Sequence, residues 1–260
     1  MPFTVSHAAA VLPCRRSRLP WSALVIGSFG PDFEYFLRMH YVSRAWHFYP
    51  DALFYCLPFS LCAYFLFELF IRRPAIELLP QSFQERIDPR PPVFPRTIIQ
   101  GSAVLGALIL GIATHIFWDL LTHDSSSLTD RIAILGDRVN LPYLNHMYGY
   151  ELAQTLSTVG GLLILGWFLW RWHRATPVSY PLLSNFSLLK KVAVWTTMFV
   201  LAAIGALWRV WNLLGHPRTS GHDSLLHLIL IIAGIGWFLW ELLAYGVFTT
   251  VWRKNKEAHR

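Results

Sequence analysis

The sequence predicts an all-α, polytopic membrane helical bundle with about five transmembrane helices and an N-terminal interfacial or re-entrant helical segment. Three observations carry this. Of 260 residues, 54% are hydrophobic and only 14% charged, against roughly 25% charged in ordinary soluble domains. Mean hydropathy is +0.40. Five long apolar runs stand out, at 52–67, 97–118, 152–170, 192–208 and 224–240, the last continuing past Glu241 to Trp252. Trp118, Trp170, Trp172, Trp208, Trp211, Trp240 and Trp252 sit at their ends, as in aromatic belts. Disorder is excluded by the hydrophobicity, and a disulfide scaffold by a count of three cysteines.

The elements follow in chain order, within one integral membrane domain (1–260) made of an N-terminal segment (1–50), motif-bearing spans (51–172) and two further spans (188–252). Residues 4–12 read as a short helix capped by Thr4 or Ser6. Residues 21–37 are apolar but broken by Gly27, Gly30 and Pro31, and carry Asp32 and Glu34. Broken backbone at membrane depth must be sheltered by protein or line a wet cavity, so a re-entrant or interfacial helix pair is expected. No basic residue precedes the first apolar stretch, so a cleaved signal peptide is not expected. Cys56 and Cys62, six apart, read as small core or lipid-facing residues. The Pro- and charge-rich stretch 72–96 reads as a surface loop holding an amphipathic helix at 75–86, with Glu68 and Arg72 paired at i,i+4. Gly101, Gly106 and Gly111, and Gly160, Gly161 and Gly166, offer close helix contacts.

Charge sets the orientation. The net charge is +7, and the basic residues flank apolar runs in the manner of cytoplasmic anchors beside anionic lipid rather than of a nucleic-acid surface. Loops alternate basic, acidic, basic, neutral and basic, which five spans with a cytoplasmic C-terminus would give. The same count puts Arg15, Arg16 and Arg18 outside, against the rule; if residues 21–37 cross the membrane instead, there are six spans and an inside N-terminus, and the five-span reading with a folded-in N-terminal segment is preferred.

The chemistry concentrates at one end of two spans. In Thr114-His115-x-x-x-Asp119-x-x-Thr122-His123, the named side chains from His115 onward share one helical face. A carboxylate within a span costs a few kcal/mol unless paired or bound to metal. His-x-x-x-Asp offers an imidazole nitrogen and a carboxylate oxygen to one divalent ion, a set suited to zinc. Asp119 orienting His115, or a hydrogen-bonded pair inside the bundle, is the alternative. His7, Asp32 and His47 are further candidates, each with a plain packing alternative. His222 and His227 read as interfacial.

Several motifs together resemble a bacterial family of uncharacterised integral membrane proteins. They are Met1-Pro2-Phe3-Thr4-x-Ser6-His7-Ala8-Ala9, Gly27-Ser28-x-x-Pro31-Asp32-x-x-Tyr35-Phe36, His47 followed by Leu53-Phe54-x-Cys56-Leu57-Pro58, the His115–His123 motif, and Gln154-x-x-Ser157-x-x-Gly160. More distantly, the order His, Pro-Asp, His, His-x-x-x-Asp resembles membrane-bound metal-dependent hydrolases and the zinc-dependent phospholipase C group. The resemblance implies His7, Asp32, His47, His115 and Asp119 as metal ligands, with His123 a further one. The chain departs from those hydrolases at Pro31-Asp32-Phe33-Glu34-Tyr35, where they show Pro-Asp-x-Asp-His, and it lacks a second His beside His47. These departures favour one metal over a cluster, or no catalysis at all.

The functional expectation is an outward-facing, divalent-metal (zinc) hydrolase of the bacterial inner membrane. It would act on a lipid-derived phosphoester, with Asp32 or Glu34 as base and Arg44 steadying an anionic group. The partners expected are the bilayer and that substrate, not nucleic acid. The competing expectation is a structural or sensing metal site, or a polar knot locking the N-terminal segment onto the first two spans. A transporter has little support, since no inverted repeat is visible.

Overall fold

The computed structural model describes residues 3–40, 52–89, 95–123, 129, 131–139, 147–214 and 226–258. Among them there are helices and one isolated β-bridge, Arg138 with Tyr148, but no strand. In order, the α-helices are α1 (Ala8–Val11), α2 (Trp21–Phe29), α3 (Phe33–Arg38), α4 (Leu57–Leu66), α5 (Arg72–Leu78), α6 (Gln81–Gln84), α7 (Ile98–Thr122), α8 (Ala133–Gly136), α9 (Gly149–Ala175), α10 (Leu188–Leu214) and α11 (Leu226–Ala258). Five continuous helices are long and apolar enough to cross a membrane: Phe54–Leu78, Ile98–Thr122, Gly149–Ala175, Leu188–Leu213 and Leu226–Ala258. The expected all-α architecture with five helices able to cross a membrane is therefore present.

The chain divides into two compact units. The first comprises Met1–Asp32, Trp46–Tyr64 and Phe94–Ala175. Here a 3₁₀ turn, Thr4–His7, runs into α1 and a second 3₁₀ turn, Leu12–Arg16. After a reversal, α2 returns against α7. The apposition is tight: a Cβ at Gly27 would lie 2.4 Å from the Leu108 carbonyl oxygen, and one at Gly111 would lie 2.4 Å from that of Leu24. Val104, Ala107, Leu108, Gly111, Ile112, His115, Asp119 and Thr122 are the buried residues of α7. Their 3–4 spacing makes one stripe, and its last positions are polar. By contrast, α9 buries only Gly149 and Gly161 and turns Leu163, Trp167 and Trp170 outward.

The glycine expectation is corrected in part. Gly111 and Gly161 make close contacts, whereas Gly101, Gly106, Gly160 and Gly166 face open space. The capping expectation is also replaced. Phe3 occupies the N-cap without a side-chain bond. Ser6 Oγ donates to the Phe3 carbonyl, 2.7 Å, and Thr4 has another partner, described below.

The second unit comprises Phe33–Ala45, Phe65–Val93 and Thr176–Arg260. The expected amphipathic helix at 75–86 is not formed. Residues 72–78 continue the first spanning helix, and Leu79, held extended (φ −69°, ψ 159°) before Pro80, ends it. The orphan carbonyls of that helix end are then satisfied from outside it. Gln84 Nε2 donates to Glu77 and Leu79, Lys191 Nζ to Leu79, and Ser184 Oγ to Glu77. Arg253 and Arg73 pair with the buried Glu77 carboxylate, and Arg72 lies 3.8 Å from Glu68. Upstream, a π-helical turn, Phe67–Ile71, precedes Pro74. Pro74 cannot donate to the Phe70 carbonyl. Gly246 of α11 approaches that carbonyl so closely that no Cβ would fit.

Candidate metal centre

The first unit gathers His7, Asp32, His115 and Asp119 in its interior, from three segments of the sequence. His7 ends the N-terminal 3₁₀ turn, and Asp32 ends the turn Gly30–Asp32 that follows α2. His115 and Asp119 occupy successive turns of α7. Relative exposures are 3%, 0%, 0% and 6%. The rings of His7 and His115 stack, with centroids 3.8 Å apart and planes 13° from parallel.

Local bonds aim the groups. His115 Nδ1 lies 2.7 Å from the Ser28 carbonyl oxygen. A carbonyl can only accept, so Nδ1 carries the proton and Nε2 is the outward nitrogen. That Nε2 lies 3.2 Å from Asp119 Oδ2 and 3.7 Å from Asp32 Oδ1. His7 Nε2 lies 3.7 Å from Asp119 Oδ1. Both His7 nitrogens are buried and make no hydrogen bond within the described residues. Thr4 Oγ1 donates to Asp32 Oδ2, 2.5 Å. His7, His115 and Asp119 each offer a ligand atom, all within 4.8 Å of one another. Burial, then the neighbouring His115, pulls the His7 imidazole down to about 4 against the opposing pull of Asp119 and Asp32. His7 is therefore neutral near pH 7, with a lone pair to give.

The remaining expected residues divide. His123, the C-cap of α7, stands at the edge of the cluster. Its Nδ1 is 3.6 Å from Asp119 Oδ1 and 3.2 Å from the Asp119 carbonyl, and its side chain is 31% exposed. Glu34, in the second unit, is buried and accepts from Arg38 Nε at 2.8 Å. His47, Arg44 and His222 lie outside the described residues. Sequence reasoning missed Thr4 and the Ser28 carbonyl. Thr4 was readable in principle, since i and i+3 eclipse in a 3₁₀ helix and place Thr4 on the same side as His7. No sequence signal marks a backbone carbonyl as the partner of a ring 87 residues away.

Fold and site together define a multi-pass membrane protein with a buried histidine–aspartate cluster built on its second spanning helix. The chain belongs to the family described as a domain of unknown function, DUF4184, whose family model matches residues 1–247. No curated protein and no solved structure matches it.

Proposed function

We propose that this cluster is a divalent-cation site, best suited to zinc, and that the protein is a membrane-bound metal-dependent hydrolase of phosphoesters, phospholipid-related ones included. One observation carries the reading. The proton on His115 Nδ1 is committed to Ser28, so the Nε2 lone pair faces carboxylate oxygens of both Asp32 and Asp119. Three acceptors converging in a buried site repel unless a cation or a proton stands between them. Two imidazoles and two carboxylates are the donor set that zinc takes up.

His7, His115, Asp119 and Asp32 would hold the ion, and Ser28 and Thr4 would orient two of them. A divalent ion there supplies an acidified water and neutralises charge on the attacked ester. The distant resemblance to membrane-bound hydrolases supplies the reaction class. The resemblance to a bacterial family favours a bacterial cytoplasmic membrane, and charge alternation favours the C-terminus inside and the cluster facing outward.

A second reading has its own support. The four groups are almost fully buried, which suits a structural or sensing ion that pins the N-terminal segment onto α7.

Metal analysis of the purified full-length chain tests the site. We expect close to one zinc or similar ion per chain, lost in the His115→Ala, Asp119→Ala double variant; retention in that variant rejects the site. Phosphodiester or phospholipid turnover that disappears on chelation and returns with zinc or manganese supports the hydrolase. Bound metal without turnover on any such ester leaves the structural reading standing.

A further inference from the structure

Contacts along α9 fix the course of the N-terminal segment. The Phe3 amide donates to Thr158 Oγ1, Ser6 lies against Gly161, and the Arg15 guanidinium lies over the Phe168 ring, 5.5 Å from its centroid. The segment therefore advances with α9, covering about 15 Å at 1.5 Å per residue. It then reverses at residues 16–20 and returns as α2 beside α7, where Leu24 lies against Gly111 and Ser28 meets His115. The result is a helical hairpin. His7 and Asp32 stand at its open end, in the cluster. Its closed end carries Arg15, Arg16 and Arg18 toward the C-terminal end of α9, which carries Arg171 and Arg174. A five-span count alone would put those three arginines on the other side of the membrane.

All five arginines are exposed. Arg171 lies over Trp167 at 5.0 Å and Arg174 over Trp170 at 4.8 Å, so, with Arg15 over Phe168, three of the five sit on aromatic rings. The sequence holds no Asp or Glu over 3–31 or 152–175, so neither segment supplies an acid to neutralise them. Leu169 and Trp170 beside these arginines are exposed apolar side chains, the surface a bilayer rather than bulk water would cover.

We infer that the closed end of the hairpin and the end of α9 form one arginine collar that binds the headgroups of anionic phospholipids. Arg15, Arg16 and Arg18 then lie in the same leaflet as Arg171 and Arg174. Guanidinium is the side chain fitted to phosphate, which it grips through two parallel N–H bonds. Aromatic rings at the headgroup level hold the cations in place. The inference does not depend on a cation in the histidine–aspartate cluster.

Two measurements on the full chain test it. In a background carrying Cys14→Ser, Cys56→Ser and Cys62→Ser, single reporters Ser17→Cys, Ala175→Cys and Asp137→Cys are labelled with an impermeant maleimide in sealed, oriented vesicles. Ser17→Cys should label from the same side as Ala175→Cys and from the side opposite Asp137→Cys. Labelling together with Asp137→Cys overturns the proposal, and this test leaves every arginine in place. The second measurement counts retained lipid by native mass spectrometry after reconstitution in equal phosphatidylglycerol and phosphatidylcholine. The ratio of the two should fall at least roughly fivefold in the Arg15→Gln, Arg16→Gln, Arg18→Gln variant. An unchanged ratio overturns the proposal, as does displacement of phosphatidylglycerol by inorganic phosphate or an oligonucleotide, which would assign the arginines to a soluble ligand.

Discussion

At the residue scale, His7 shows how burial sets chemistry. It is 3% exposed and stacked on a second imidazole, and its proton affinity falls to about 4 from an ordinary 6.5. Between those values the unfolded chain binds a proton that the folded chain does not. The stability this group contributes is therefore fully present above pH 6.5 and is lost as pH falls toward 4. The loss from this one group is at most ~3 kcal/mol. Thermal unfolding of metal-free protein in detergent, followed from pH 7 to pH 4, should show this loss, and His7→Gln should flatten it. An equally steep profile in the variant would place the titrating group elsewhere. His7 also shows why a site resists reading from sequence. A lone histidine among small residues is ordinary, and only its neighbours across the fold make it a candidate ligand.

At the element scale, α9 contributes no member of the cluster yet sets where His7 sits. Gly161 leaves room for Ser6: an added Cβ would lie 2.7 Å from the Ser6 Cβ and 3.0 Å from its carbonyl oxygen. Three residues earlier, Thr158 Oγ1 accepts the Phe3 amide while donating to Gln154. Gly161→Val should push the 3₁₀ turn off α9 and weaken cobalt binding at least tenfold, read from the visible spectrum of the cobalt-loaded protein. Thr158→Val should weaken it less, with Thr158→Ser restoring it. Wild-type cobalt affinity in Gly161→Val would show that α9 does not position the ligand. The sequence marked Gly160, Gly161 and Gly166 as equals. It could not say which of them faces the N-terminal turn, because rotation about a helix axis is fixed by the partner. The loop at 72–96 failed for a related reason. Its amphipathic pattern was real, but Pro80 ends a helix that begins in the first span, and the donors capping that end come from more than 100 residues away as well as from Gln84.

At the scale of the whole molecule, a cation held by His7, Asp32, His115 and Asp119 would tie the N-terminal hairpin to α7 and so couple binding to stability. Ligand present at 100 to 1,000 times its dissociation constant adds roughly 3–4 kcal/mol to the folded state. Chelation should therefore lower the unfolding midpoint of the wild-type chain by several degrees and leave the His115→Ala, Asp119→Ala variant unmoved. A midpoint indifferent to chelator in both would argue against the ion. Class and span number were settled by composition and by five apolar runs, because the bilayer demands some 20 apolar residues per crossing whatever the fold. The pairing of His115 with Asp119 was equally legible, since helical spacing alone puts them on one face. Only tertiary packing brought His7 and Asp32 to that face, turned Ser28 toward His115 and carried the arginines to the far end of α9. Those contacts join segments up to about 155 residues apart, and no local periodicity encodes which distant surfaces meet.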